Sequence, residues 1–183
     1  MDTFELITLT SAHPCWPRHL RDRLDAAAPA KLWALGNHEI LARPKVGLFC
    51  SVHCPAHVLQ SAAGVVHGLR DRDLAVASGF HSPVEKACLQ VLLNDHVPAL
   101  IGFARSLRKI RIPSVWQGPL KEGRLLAISP FDDLPRSPTR KSSRQRNELI
   151  AAMADEVLIL YAEPGGNVAR LASMIDRWRI PRR

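Results

Sequence analysis

Cysteine is scarce: four residues in 183, Cys15, Cys50, Cys54 and Cys88, too few and too scattered for the disulfide scaffold of a small secreted domain. No apolar run approaches the roughly 20 residues that a bilayer demands. The start, Met1-Asp2-Thr3-Phe4-Glu5, lacks both the basic residues and the uniform apolar stretch of a secretion signal. The expectation is a soluble cytoplasmic protein with no membrane partner. Zinc-finger spacing is missing as well. Cys50, His53, Cys54 and His57 fall close together, but their spacing fits no usual finger, and a strand-to-helix turn there would scatter the side chains. Core thiols with turn histidines are the simpler reading, and neither a metal nor a cofactor is expected.

Apolar residues are plentiful. At 46% of the chain they are enough to close one hydrophobic core, and 183 residues suit one domain. Positive charge is in surplus: 25 Lys and Arg against 17 Asp and Glu give +8, with a pI of about 9.9. Such a surplus favours an anionic partner. It is concentrated in two places. Arg136, Arg140, Lys141, Arg144 and Arg146 occur in a stretch with no acid, and Arg177, Arg179, Arg182 and Arg183 crowd the C-terminal tail.

Along the chain, residues 1–41 read as an N-terminal extension with short helices, punctuated by Pro14, Pro17 and Pro29. From residue 42 to 183 a regular alternation follows. Lys45–Ser51, Leu74–Ser78, Pro98–Phe103, Leu125–Ile128 and Val157–Tyr161 are short apolar runs with the length and flanks of buried strands. Between them lie helical patterns. The clearest has Ser82-Pro83-Val84-Glu85 as a capping box, with Val84, Ala87, Cys88, Val91 and Leu92 on one face. Ser142 and Gln145 suggest a second box, and Asn167 a cap for the last helix. Strands alternating with helices imply parallel crossovers. The predicted fold is therefore α/β: a Rossmann-like three-layer domain with a mostly parallel sheet of five or more strands and a short helical N-terminal extension, forming one unit.

Ligands of open parallel sheets sit beyond the carboxyl ends of the strands, where helix N-termini also point. The residues predicted there are Ser51, Ser78, Gly79, Phe80, His81, Arg105, Gly165 and Gly166, with Arg111, Lys141, Arg144, Arg146 and Asn147 as further contacts for phosphate or DNA. Arg144 and Arg146 are placed in the first turn of their helix, where the macrodipole disfavours cations unless an anion is bound. Glu85 is explained by its capping box, so no catalytic residue is assigned. Trp116, near Arg111, is a candidate stacking platform, whereas Trp178 fits a core face.

In order along the chain, these features resemble the DNA-processing protein A (DprA/Smf) family. Cys15-Trp16-Pro17-Arg18-His19-Leu20 is similar to its Tyr-Pro-x-x-Leu segment, and Leu32-Trp33-Ala34-Leu35-Gly36-Asn37 to its Leu-Tyr-x-x-Gly-Asn step. Ser78 to Glu85 stands where the family has Ser-Gly-x-Ala-x-Gly-Ile-Asp, and Arg146-Asn147-Glu148-Leu149-Ile150-Ala151 resembles Arg-Asn-Arg-x-Ile-Ala. The resemblance implies binding of single-stranded DNA in a basic pocket, without catalysis, in DNA uptake, transformation and recombination, with a recombinase and a homodimer as further partners. Departures stand out: Cys50-Ser51-Val52-His53 lacks the family's arginine after the first strand, and Pro83 replaces a glycine. The flanking helical and winged-helix domains of full-length members have no counterpart here, which sets recombinase loading apart from DNA binding. An alternative is a nucleotide-binding or sensing domain related to phosphoribohydrolases, because Glu163-Pro164-Gly165-Gly166 is similar to their Pro-Gly-Gly loop. Ala172 stands where their loop glutamate would be, which removes the acid/base group that hydrolysis needs.

Overall fold

The computed structural model describes residues 4–183. Seven strands form one sheet: β1 (Leu6–Thr10), β2 (Lys31–Gly36), β3 (Lys45–Cys50), β4 (Ala75–Ser78), β5 (Ala99–Gly102), β6 (Leu125–Ser129) and β7 (Glu156–Tyr161). Six helices accompany them: α1 (Leu20–Leu24), α2 (Ala56–His67), α3 (Pro83–Asn94), α4 (Ser114–Lys121), α5 (Arg140–Met153) and α6 (Asn167–Arg177). The strand order is β1-β2-β6-β5-β4-β3-β7. Pairings from β6 through β5, β4 and β3 to β7 are parallel, whereas β1 and β2 join antiparallel at the β6 side.

Alternation along each strand sorts side chains into two cores. Ala75, Ala77, Leu100, Leu126 and Ile128 face one layer with α1, α5 and α6. Val46, Leu48, Val76, Ile101 and Leu125 face the other, with α2, α3 and α4. All six residues of β3 are buried, as a central parallel strand covered on both faces requires. The three-layer α/β reading holds.

Two local readings are corrected. The segment predicted as a helical extension, residues 1–41, holds more than short helices: β1 and β2 are strands of the main sheet, and among its described residues only α1 and two brief 3-10 turns are helical. Arg23 of α1 donates from Nη1 to Ala152 O at 3.0 Å and Ala154 O at 2.7 Å, satisfying carbonyls at the end of α5. This segment is therefore stitched to the layers it precedes. The second correction concerns α5. Its N-cap is Thr139, whose hydroxyl accepts from Ser142 N at 3.0 Å while Ser142 Oγ accepts from Thr139 N at 2.9 Å. Ser142 is thus the third helical residue of a box centred on Thr139, and the helix opens a turn earlier than the Ser142–Gln145 pattern suggested. Arg144 and Arg146 lie in the second turn, so the dipole argument made for them belongs instead to Arg140 and Lys141. Likewise Gly166, not Asn167, caps α6, and among the described residues no side chain caps that helix's first amides.

Candidate nucleic-acid interface at the sheet edge

Consecutive crossovers carry the chain from β3 through β4 and β5 to β6, after which it returns to pair β7 on the other side of β3. The crevice beyond β3 and β7 is thus the switch point where α/β sheets bind ligands. Ser51 secures it: Ser51 N donates to Tyr161 O at 3.0 Å, and Ser51 Oγ accepts from Glu163 N at 2.9 Å. A cavity of about 900 Å³ opens there, lined by the N-caps of three helices, Ser82, Thr139 and Gly166. Ser82 and Thr139 belong to closed capping boxes; the α6 terminus keeps its amides free.

Four arginines line the same cavity: Arg140, Arg144, Arg146 and Arg170. Arg140, Arg144 and Arg170 are exposed, and none has an ion-pair partner among the described residues. Arg144 does act on Glu148, where its charge partly offsets the burial that pushes that carboxyl's pKa up.

Arg146 differs from the other three. It is only 6% exposed, yet among the described residues its guanidinium makes a single hydrogen bond, from Nη1 to Gly102 O at 3.2 Å, and its Nε is buried without a partner. Burial holds its pKa below the usual arginine value, and the charge of Glu85 pulls it back up. The side chain crosses the tips of β4 and β5 because Gly79 follows β4 and Gly102 ends β5. A Cβ on Gly79 would overlap the guanidinium, and one on Gly102 would meet Ile150 Cδ1 at 2.5 Å and Arg146 Cδ at 3.2 Å.

Glu85 anchors the other side. Its Oε2 accepts from His81 N at 2.8 Å and Ser82 N at 3.1 Å, while Oε1 accepts from Cys50 N at 3.1 Å. Three backbone donors hold one carboxylate and tie the end of β3 to the start of α3. This geometry gives Glu85 a structural role, in line with its capping-box position.

A second cavity, of about 670 Å³, adjoins the first and shares His81, Pro138, Ser143 and Arg146 with it. Its walls are largely apolar, including Phe80, Leu89, Phe103 and Trp116. Trp116 packs edge-on to Phe103 at 6.1 Å between centroids, and Arg105 lies 5.8 Å from the Phe103 ring.

The residues expected at this edge are therefore divided among several places. Ser51, His81, Arg144, Arg146, Asn147, Gly165 and Gly166 line the larger cavity; Gly79, Phe80, His81, Arg105 and Arg146 line the smaller. Ser78 is buried beneath, its Oγ accepting from Phe80 N at 3.1 Å. Lys141 and Arg111 are exposed but line neither cavity. The sequence reading missed Arg140, Arg170 and Phe103. Arg140 sits within the basic stretch already singled out, but Phe103 and Arg170 carry no local signal. Of the clustered Cys50, His53, Cys54 and His57, the two thiols lie beside one another, whereas both histidines are exposed, and among the described residues no three of His, Cys, Asp and Glu are grouped to hold a metal.

A model of the DNA recombination-mediator protein A family matches residues 7–174. Among solved structures, DNA processing protein A from Streptococcus pneumoniae is similar, with a TM-score of 0.78 at 20% identity over 94% of this chain and 60% of that one. DNA processing protein A from Helicobacter pylori, whose structure concerns a single-stranded DNA binding mode, also gives 0.78 at 20% identity, over 98% of this chain and 80% of that one. The molybdenum cofactor carrier protein from Chlamydomonas reinhardtii is more distant, at a TM-score of 0.50 and 10% identity over 76% of this chain and 74% of that one. A comparison with curated proteins found no match. The chain thus spans about 60% of the length of the pneumococcal protein.

Proposed function

We propose, for a chain that belongs to the DNA recombination-mediator protein A family and is thereby a DNA-processing protein, that it binds single-stranded DNA along the carboxyl edge of its sheet, as a binding protein and not a catalyst. The observation that carries this reading is Arg146: a buried guanidinium with an unpartnered Nε, set into a cavity that three exposed arginines and the free amides of α6 also face. Burying such a group costs several kcal/mol unless an anion or hydrogen-bond acceptor compensates it. Glu85 compensates only one side, because its oxygens are already engaged by three backbone amides. A phosphodiester supplies what is missing: negative charge and several acceptor oxygens, next to helix N-termini that favour both.

The structure of the Helicobacter pylori relative with its single-stranded DNA binding mode supports the same partner. A single strand is favoured over a duplex because the cavity is a crevice between helix ends, with an aromatic-lined compartment beside it that unpaired bases suit.

The test is binding of a short single-stranded oligonucleotide measured across salt concentration. Log affinity should fall linearly with log salt, and each phosphate contact removed should flatten the slope by about 0.7. Arg140→Ala and Arg144→Ala should each do so, whereas Arg111→Ala should leave the slope unchanged. A slope that none of these variants alters would overturn the assignment. Equal affinity for a mononucleotide and for the oligonucleotide would replace the strand by a nucleotide ligand.

A further inference from the structure

Strand binding makes no use of the thiols grouped behind the larger cavity. Cys50 ends β3, Cys88 lies on α3 and Cys54 lies in the loop between β3 and α2; all three pack into the same core layer. Their exposure differs. Cys50 is 3% exposed and Cys88 0%, whereas Cys54 is half-buried, so Cys54 is the thiol of this group that solvent reaches. Its sulfur lies beside that of Cys50.

The chain between the pair is cavity wall. Ser51, Val52 and His53 all line the larger cavity, as does Cys50 itself. A bond between the two sulfurs would close a ring around this stretch. Its first residues are held in place: Cys50 N donates to Glu85 Oε1 at 3.1 Å, Ser51 N to Tyr161 O at 3.0 Å, and Ser51 Oγ accepts from Glu163 N at 2.9 Å. Beyond them no regular structure intervenes until α2 begins at Ala56, and Val52 and His53 are exposed. A disulfide is about 2.05 Å long, far shorter than the contact between two separate thiols. Closing it therefore draws Cys54 and the loop toward the fixed end of β3. The loop then pulls on Ser51, whose hydroxyl positions Glu163 and the turn leading into the uncapped amides of α6.

We propose that Cys50 and Cys54 form a reversible disulfide when a hydroperoxide is present, and that closing it reshapes the Ser51–His53 wall and weakens the hold on single-stranded DNA. The second half rests on the strand-binding reading above; the first does not. Cys54 Sγ attacks one peroxide oxygen. The S–O bond forms, the O–O bond breaks, and the thiol proton leaves with the other oxygen as water or an alcohol. Cys50 Sγ then attacks Cys54 Sγ: the S–S bond forms, the S–O bond breaks, and the hydroxyl departs with the Cys50 proton as water. The sulfur pair loses two electrons and the peroxide gains two. Burial pushes the Cys50 thiol up to about 12, so it is not the first to react, and its fixed place beside Cys54 favours the second step. A dithiol reopens the bond by exchange.

The test treats the folded protein with hydrogen peroxide, unfolds it in the presence of an alkylating agent and digests it with trypsin. Residues 46–70 emerge as one peptide that holds Cys50 and Cys54 and neither other cysteine. This peptide should be two hydrogens lighter than its reduced form and take up no alkyl group, until dithiothreitol restores both thiols. Oligonucleotide affinity of the oxidised protein should fall about fivefold, the scale of one disturbed hydrogen bond, and recover with dithiothreitol. Cys54→Ser should bind as the reduced wild type does, before and after peroxide. Two alkylated thiols after treatment, or a Cys54 sulfinic acid beside an alkylated Cys50, would overturn the pair. A disulfide without a change in affinity, or an equal loss in Cys54→Ser, would overturn its coupling to the cavity. No oligonucleotide binding by the reduced protein would overturn the strand reading and that coupling with it, while the peptide mass still decides the disulfide.

Discussion

Gly79 and Arg146 share one volume: the position that a Cβ would take on Gly79 is already filled by the Arg146 guanidinium. The arginine lies across the end of β4 only because the residue that follows the strand has no side chain. This relationship, between an element on one layer and a strand tip of the sheet, builds the floor common to both cavities.

Gly79→Ala should therefore displace Arg146. Overpacking of this kind costs about 1–3 kcal/mol, and the loss should be read from the urea midpoint at unchanged m-value. The same variant should weaken oligonucleotide binding. The Arg146 side chain can no longer hold its place beside Gly102 O, and a variant of wild-type stability and affinity would contradict the packing described.

Glu85→Gln tests the anchor opposite. The amide keeps the shape but offers one acceptor oxygen in place of two, and its nitrogen meets a backbone donor. It also removes the charge that offsets the burial of Arg146. Breaking a buried, hydrogen-bonded charge arrangement costs about 3–5 kcal/mol. A loss under about 1 kcal/mol in equilibrium unfolding would show that the three amide contacts are not what holds β3 to α3.

The position of the α5 start is open to a direct check. Thr139→Ala removes the N-cap and should cost about 1 kcal/mol, whereas Gln145→Ala, in the second turn, should change stability by no more than a few tenths of a kcal/mol. The opposite ranking in thermal or urea unfolding would restore the later start.

Burial pushes the thiols of Cys50 and Cys88 up from 9.0 to about 12. A group whose folded pKa exceeds its unfolded one stabilises the fold fully below the unfolded value and loses that contribution as pH rises toward the folded value. For these thiols the window is about pH 9 to 12. Cys88→Ala should remove one such contribution, so its stability relative to wild type should improve as pH is raised from 8 to 10.5. A stability difference independent of pH would contradict this. Alkylation of either thiol at pH 8 should require unfolding.

Much of the architecture was legible because its signals are local. The runs that became β3 to β7 are bounded by prolines and glycines, and Ser82 and Glu85 form a box from residues three apart. β1 and β2 escaped because a proline-punctuated connection with α1 lies between them, and their pairing with one another and with β6 is decided across the sheet. The helix α4 was masked by Gly118 and Pro119, which read as breakers yet fall in its final turn. Thr139 was overlooked in a loop already rich in capping residues, where Ser142 made an equally good local pattern.

The site divides along the same line. Composition and spacing determined an α/β sheet with a basic surplus, and they placed Ser51, Gly79 and Gly165 at or just beyond the strand tips. Which arginines converge, and that one of them is buried with an unused donor, was decided by contacts such as Arg146 to Gly102, 44 residues apart. The reason is physical: periodicity records which face of an element is apolar, whereas a cavity is the space left when several elements have packed. Gly79 reads in the sequence as a turn residue; only the packed layers show that its missing side chain makes room for Arg146.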